Sequence, residues 1–268
     1  MRRPRTNRAA ATAAVVLMLA STSARSSGQG DRVTDRPGTE RAKLRAQRPH
    51  AFYFTRGIYS GWSRFGRRGG GSWATDWPKS DRTFLTVLQR LTNVDAFPEE
   101  HGVLLDDPEL RRFPFLYILE VGRMGLTPGE AKGLRLYMLN GGFVMVDDFW
   151  GSYEWANFEE QMRAVLPEYP IEEIPLDHEI FRTFYQIDEI IQVPQIGNAM
   201  TGRTWEQDGY VPHVRGIFDD KRRLMMVINW NTDLGDAWEW AESPYYPVPY
   251  STYAFKVGVN TVIYAMSH

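Results

Sequence analysis

Two adjacent carboxylates, Asp147 and Asp148, stand near the end of the segment GGFVMVDDFWG, residues 141–151. The four apolar residues before them, Phe143 to Val146, are too few for a helix and suit a fully buried strand. In open α/β sheets ligands sit outside the carboxyl ends of the strands, so this pair, with Trp150 just beyond it, marks where chemistry is expected. Acids in that position have three uses. They can ligate a divalent cation, work as acid and base at a glycosidic bond, or cap the next helix with no ligand at all. Side chains alternate along a strand, so Asp147 and Asp148 are expected on opposite faces, at most one of them facing a ligand. A second acid would then come from Glu120, which follows the apolar run FPFLYIL, or from Asp177, next to His178 in PLDHEIFRTFY. Asp177 serves equally well as a turn residue bonding nearby backbone amides. Asp76, between Trp73 and Trp77 in WATDWP, either lines the same crevice or caps the helix that follows. Arg56 and Arg64 suit bidentate contact with an anionic group or plain ion pairs with neighbouring acids. His50, His101 and His213 have no companions at metal-ligand spacing.

The bulk properties narrow these options. There is no cysteine, which excludes a disulfide framework, a lipidated cysteine, a thiol nucleophile and a thiolate metal site. Residues 1–24 combine Arg2, Arg3, Arg5 and Arg8 with an apolar run, Ala9 to Ala20, and small residues at Thr22 and Ala24. That pattern is a secretory signal peptide, and the run is too short for a stable membrane span; retention as an anchor is the alternative. Residues 25–48 are rich in Arg, Ser and Gly and read as a disordered linker. Residues 1–48 hold 11 basic and 3 acidic residues, which leaves 20 basic and 30 acidic residues in 49–268 and a net charge near −10 there. An acidic domain argues against a nucleic-acid partner. About 220 residues suffice for one α/β domain, 49–268. The glycine-rich stretch FGRRGGGS, residues 65–72, has neither a Walker pattern nor G-x-G-x-x-G and is expected as a mobile loop over a site.

The elements that must position the acids follow from periodicity. Ala51–Thr55 is the first strand expected, with Arg56 in the loop after it. A helix capped by Ser80 or Asp81 carries Phe84, Leu85, Leu88 and Leu91 on one face. Phe113–Leu119 is the second strong strand. Thr127, Pro128 and Glu130 form a capping box with proline at the first helical position, and Gly141-Gly142 end that helix. The order strand, helix, strand predicts a parallel crossover. A helix from about Glu154 to Pro167, a short strand at Ile190–Val193, a hairpin of Val214–Phe218 with Leu224–Asn229, and a closing C-terminal helix complete the chain.

Taken together, WATDWP, FPFLYIL, the LTPGE helix ending in GGFVMVDDFWG, PLDHEIFRTFY and the final KVGVNTVIYAMSH resemble the bacterial family called domain of unknown function 4159, over roughly residues 51–268. The resemblance implies a three-layer α/β sandwich with a mostly parallel sheet, of the class I glutamine amidotransferase-like, flavodoxin-like kind. It also implies a setting in the bacterial cell envelope. Glutamine amidotransfer itself needs a cysteine nucleophile, which this chain lacks. Many relatives carry Gly-His near the second strand's tip, where this chain has Glu120-Val121, so no histidine role transfers there. The expected function is an exported, periplasmic or extracellular, non-catalytic binding or assembly module working through the strand-end crevice. Its partner would be an envelope protein or a small-molecule or glycan ligand, with no nucleic acid and no stable membrane span after signal cleavage. No cofactor is required by this reading, and a divalent metal is left open. The alternative is a metal- or carboxylate-dependent hydrolase acting on a glycan or another envelope component; a third possibility assigns all these acids to caps and ion pairs.

Overall fold

In the computed structural model, residues 50–62, 68–70 and 72–268 are described. The signal-peptide and linker segments, Arg64 and part of the glycine-rich loop lie outside them.

Apolar runs bounded by turn residues become the central strands. β1 (Thr55–Ile58), β5 (Phe115–Leu119), β6 (Phe143–Asp147) and β9 (Leu224–Trp230) are parallel neighbours, and β4 (His101–Leu104) extends them at one edge. At the other edge β8 (His213–Phe218) and β7 (Ile171–Glu173) add antiparallel pairs, so the order is β4-β1-β5-β6-β9-β8-β7. β2 (Ser60–Trp62) and β3 (Arg68–Gly70) form a separate antiparallel pair. The fold is thus an open, mostly parallel α/β sheet of the flavodoxin-like kind, as the sequence predicts.

The helices are α1 (Lys79–Leu91), α2 (Pro128–Leu139), α3 (Gly151–Val165), the short α4 (Ile196–Ala199), α5 (Leu234–Glu239) and α6 (Val248–Ser267). Strand alternation divides the core between two layers. Phe115, Tyr117, Phe143, Met145 and Val227 pack with Phe84, Trp238 and Phe255 on the α1/α5/α6 side. Leu116, Ile118, Val144, Val146 and Ile228 pack with Leu134, Met138, Phe158 and Met162 on the α2/α3 side. Burying both faces is what a parallel sheet requires. No helix among the described residues is long and apolar enough to cross a membrane.

Local expectations hold where the capping chemistry is strong. Thr127 and Glu130 make the reciprocal capping box of α2. Other elements differ. The first strand begins at Thr55, so Arg56 lies within β1 and not in a loop. Neither Ser80 nor Asp81 caps α1, because both face inward to Arg56. α3 starts at Gly151, three residues before Glu154, since the Glu154 carboxylate reaches back to the Trp150 amide at 2.8 Å and fixes the first turn. Ile190–Val193 is an extended connection and not a strand; its Val193 amide donates to Thr232 Oγ1 and its carbonyl accepts from the Asp233 amide, outside any ladder.

Candidate functional site

The carboxyl ends of β5, β6 and β9 lead into loops whose backbones are bonded to one another. The Glu120 amide donates to the Asp147 and Asp148 carbonyls at 3.2 and 3.0 Å, the Asp148 amide to the Thr232 carbonyl at 3.2 Å, and the Asn231 amide to the Phe149 carbonyl at 3.0 Å. Four non-glycine residues of this rim, Asp76, Glu120, Asp148 and Asn231, adopt positive φ between 52° and 60°. Left-handed backbone is uncommon for such residues, and its clustering is a mark of functional sites. At Glu120, Asp148 and Asn231 it turns the chain just past a strand end, and at Asp76 in the turn before α1.

Asp147 is fully buried as the last residue of β6. Its Oδ2 accepts from the Tyr117 hydroxyl at 2.9 Å and from the amides of Leu234 and Gly235 at 2.9 and 3.0 Å. Its Oδ1 is buried without a hydrogen-bond partner. Burial raises its pKa to about 7, while the Tyr117 hydroxyl and the α5 amides pull it back down. Asp148 accepts the Trp150 indole N–H at 3.1 Å. Because Asp148 is left-handed, strict alternation stops there, and its carboxylate joins Asp76 and Asp233 instead of being sent to the far face. Ligand-type oxygens of Asp76, Asp148 and Asp233 all lie within 4.8 Å of one another. A second group of the same spacing, Asp76, Asp236 and Glu239, shares Asp76.

Burial, then repulsion from Glu120, Asp76 and Asp147, raises Asp148 well above the ordinary carboxylate range. Asp233 is raised for the same reasons, burial first and the charge of Asp148 next. Asp76 rises to about 8 through burial and the charge of Asp236, although Arg56 opposes the shift. Asp236 rises to about 6, mainly through burial.

Arg56 is fully buried, and all five of its N–H groups are spent. Nε donates to Asp81 at 2.9 Å, Nη2 to Asp81 at 2.6 Å and to Ser80 at 2.8 Å, and Nη1 to the carbonyls of Trp73 and Thr75 at 2.9 and 2.5 Å. It therefore holds the turn that presents Asp76 and has no N–H left for an anionic ligand; of the two roles the sequence leaves open, the ion pair with a neighbouring acid is the one seen. Trp150 likewise braces Asp148 from a buried position and presents no stacking face. Glu120 stands at the rim, its carbonyl accepting the Tyr59 hydroxyl at 2.9 Å.

Asp177 and His178 are not brought to this rim. The His178 ring packs 5.8 Å from Phe218, which pairs with Leu224 at the start of β9. Asp147, four residues along β6 from the opposite end of the sheet, is on the order of 13 Å away along the strands. His178 caps a short turn, its Nδ1 accepting from the Ile180 amide at 3.2 Å, and burial lowers its pKa. Asp177 is exposed. A site shared by these two with Asp147 and Asp148 is excluded by sheet length.

Asp233, Asp236 and Tyr117 were not legible as site residues. The signal was present in NWNTDLGD, residues 229–236: an apolar strand running straight into Asn and Asp, as FVMVDD does. Asp233 also caps α5, accepting the Asp236 amide at 2.7 Å, which makes it read as an ordinary helix cap.

The sequence pattern described as Domain of unknown function (DUF4159) matches residues 64–266. The chain belongs to that family. No curated protein matches it. In this DUF4159 chain the matched stretch contains Asp76, Asp147, Asp148 and Asp233, while Arg56 lies just before it.

Proposed function

We propose that this DUF4159 protein is an exported binding module of the bacterial envelope whose ligand is held at the carboxyl rim of the sheet. One observation carries the reading: carboxylates from three separate segments converge there, and the neighbouring arginine has no N–H left to donate to them. Once ionised, such a site offers acceptors almost alone, so its ligand brings positive charge or hydroxyl donors, as a hydroxyl-rich envelope glycan does. A flanking loop fits that chemistry. Trp205 and Tyr210 pack 5.8 Å apart with exposed rings, and Tyr210 is 64% exposed. The same loop is fastened to the rim by Asp208 on Ser152 at 2.6 Å, Gln207 on Glu154 at 2.8 Å and Asn231 on the Val211 carbonyl at 2.7 Å. Rings with an apolar body and a polar edge suit such partners. Sedimentation of the protein with purified cell-wall glycan at pH 7 tests this. Retention that falls at least tenfold in Asp148→Asn is expected; no retention, or retention indifferent to that change, contradicts it.

A hydrolase is the second reading, and the values near 7 and 8 for Asp147 and Asp76 favour it, since a general acid or base works best near the operating pH. Release of reducing ends from the same glycan, lost in Asp147→Asn, would select it over simple binding.

A further inference from the structure

The rim contains more than a patch of acids. Asp76, Asp148 and Asp233 place one oxygen each within 4.8 Å of the others. Hard divalent cations bind oxygen at 2.0–2.6 Å, so two ligands of one ion stand no more than roughly 4–5 Å apart. The three aspartates meet that limit from three different chain segments. In each, an oxygen is left over after local bonding: Asp148 has spent one on Trp150, Asp233 one on the Asp236 amide, and Asp76 Oδ2 is buried with no partner. A separate observation points the same way. Asp147, fully buried, shares Gly235 with this cluster: its Oδ2 accepts from the Tyr117 hydroxyl and the Gly235 amide, and its Oδ1 is left without a partner. A methyl group placed on Gly235 would meet Asp76 Oδ2 at 2.9 Å, the Tyr117 hydroxyl at 3.0 Å and Asp233 Oδ1 at 3.6 Å. The absent side chain at Gly235 is what lets these oxygens converge.

We propose that Asp76, Asp148 and Asp233 bind one hard divalent cation of the Mg2+, Mn2+ or Ca2+ class, with the buried Asp147 carboxyl adding negative charge beside it. The proposal rests on the reading of this rim as the binding surface and names the group through which a ligand would be held. All-oxygen ligands without imidazole or thiolate select that class of ion. The neighbouring group Asp76, Asp236 and Glu239 is a poorer host. Lys79 Nζ already stands 3.8 Å from Glu239, and both Asp236 oxygens accept hydrogen bonds, from the Ile196 amide and the Trp240 indole.

The test uses the full chain, stripped with chelator and titrated with Mn2+ at pH 8, free ion being read by electron paramagnetic resonance. One Mn2+ per chain is expected, bound at least tenfold more weakly by Asp148→Asn and Asp233→Asn and unchanged by Glu239→Gln. No bound Mn2+ at millimolar concentration overturns the proposal, as does binding that only Glu239→Gln weakens. Should the buried variants fail to fold, paramagnetic broadening in the wild-type amide spectrum decides: it must centre on Asp148, Leu234 and Gly235, and broadening centred on Trp240 or on exposed acids overturns the site. Repeating the glycan sedimentation with Mn2+ and with chelator separates the two readings. Retention that survives chelation removes the cation and leaves the binding module; Mn2+ bound with no glycan retained does the reverse.

Discussion

At the scale of single residues, the rim depends on one side chain far more ordinary in sequence than in structure. Arg56 serves Asp81, Ser80 and two carbonyls at once, with nothing exposed to water. Removing one partner of a buried pair strands the other charge and costs about 3–5 kcal/mol. Arg56→Met is therefore expected to lower unfolding stability by about that amount in urea melts, and the double change Arg56→Met with Asp81→Leu to recover part of it. Lysine cannot replace five donors in a planar fork. Asp147 gives the opposite sign. Its ionised form is disfavoured by burial, with a pKa of about 7. In chelator at pH 8, Asp147→Asn is expected to raise the melting temperature by about 2–4 °C for each kcal/mol of relieved charge, while at pH 5, where the wild-type acid is already protonated, the difference shrinks. A calorimetric scan of both proteins at both pH values checks this.

At the scale of elements, the contact between α5 and the strand ends sets the tolerance of the site. Alanine is the better helix former, yet Gly235→Ala drives its methyl against Asp76 Oδ2 and the Tyr117 hydroxyl. Overpacking costs roughly 1–3 kcal/mol, which outweighs the propensity gain of about 1 kcal/mol, so a net loss in denaturant unfolding is expected. The elements readable in sequence were those with strong local chemistry: the Thr127/Glu130 box, the four-residue apolar run before Asp147, and the hairpin that became β8 and β9. The edge strands β4, with sequence HGVL, and β7, with IEE, were not readable. They are short, and their pairing comes from neighbours rather than from a pattern of their own. The site was half legible for a related reason. Asp147, Asp148 and Asp76 stand beside recognisable strand or helix boundaries, whereas Asp233 looks like a cap, and Arg56 looks like a surface arginine until the fold buries it. The distance between His178 and Asp148 depends on which end of the sheet each reaches, which no local spacing encodes.

At the scale of the whole molecule, several buried carboxyls with raised pKa leave a signature in stability. Asp147, Asp76 and Asp236 move from the usual carboxylate value to about 7, 8 and 6, with Asp148 and Asp233 shifted in the same direction. Between the unfolded value and these folded values the native state holds more protons than the unfolded chain, so stability falls as pH rises. Acids with lowered pKa, such as Asp219 against Arg223 and its neighbouring amides, act in the opposite sense only below about pH 4. The decisive measurement is the melting temperature of the chelated full chain from pH 5 to 8.5, with and without millimolar Mg2+ or Ca2+. A fall of roughly 5 °C or more across that range, reversed by the cation at the alkaline end, is the result expected. A flat or rising profile, or one the cations leave unchanged, would contradict a cation-seeking acid cluster at the rim of this sheet.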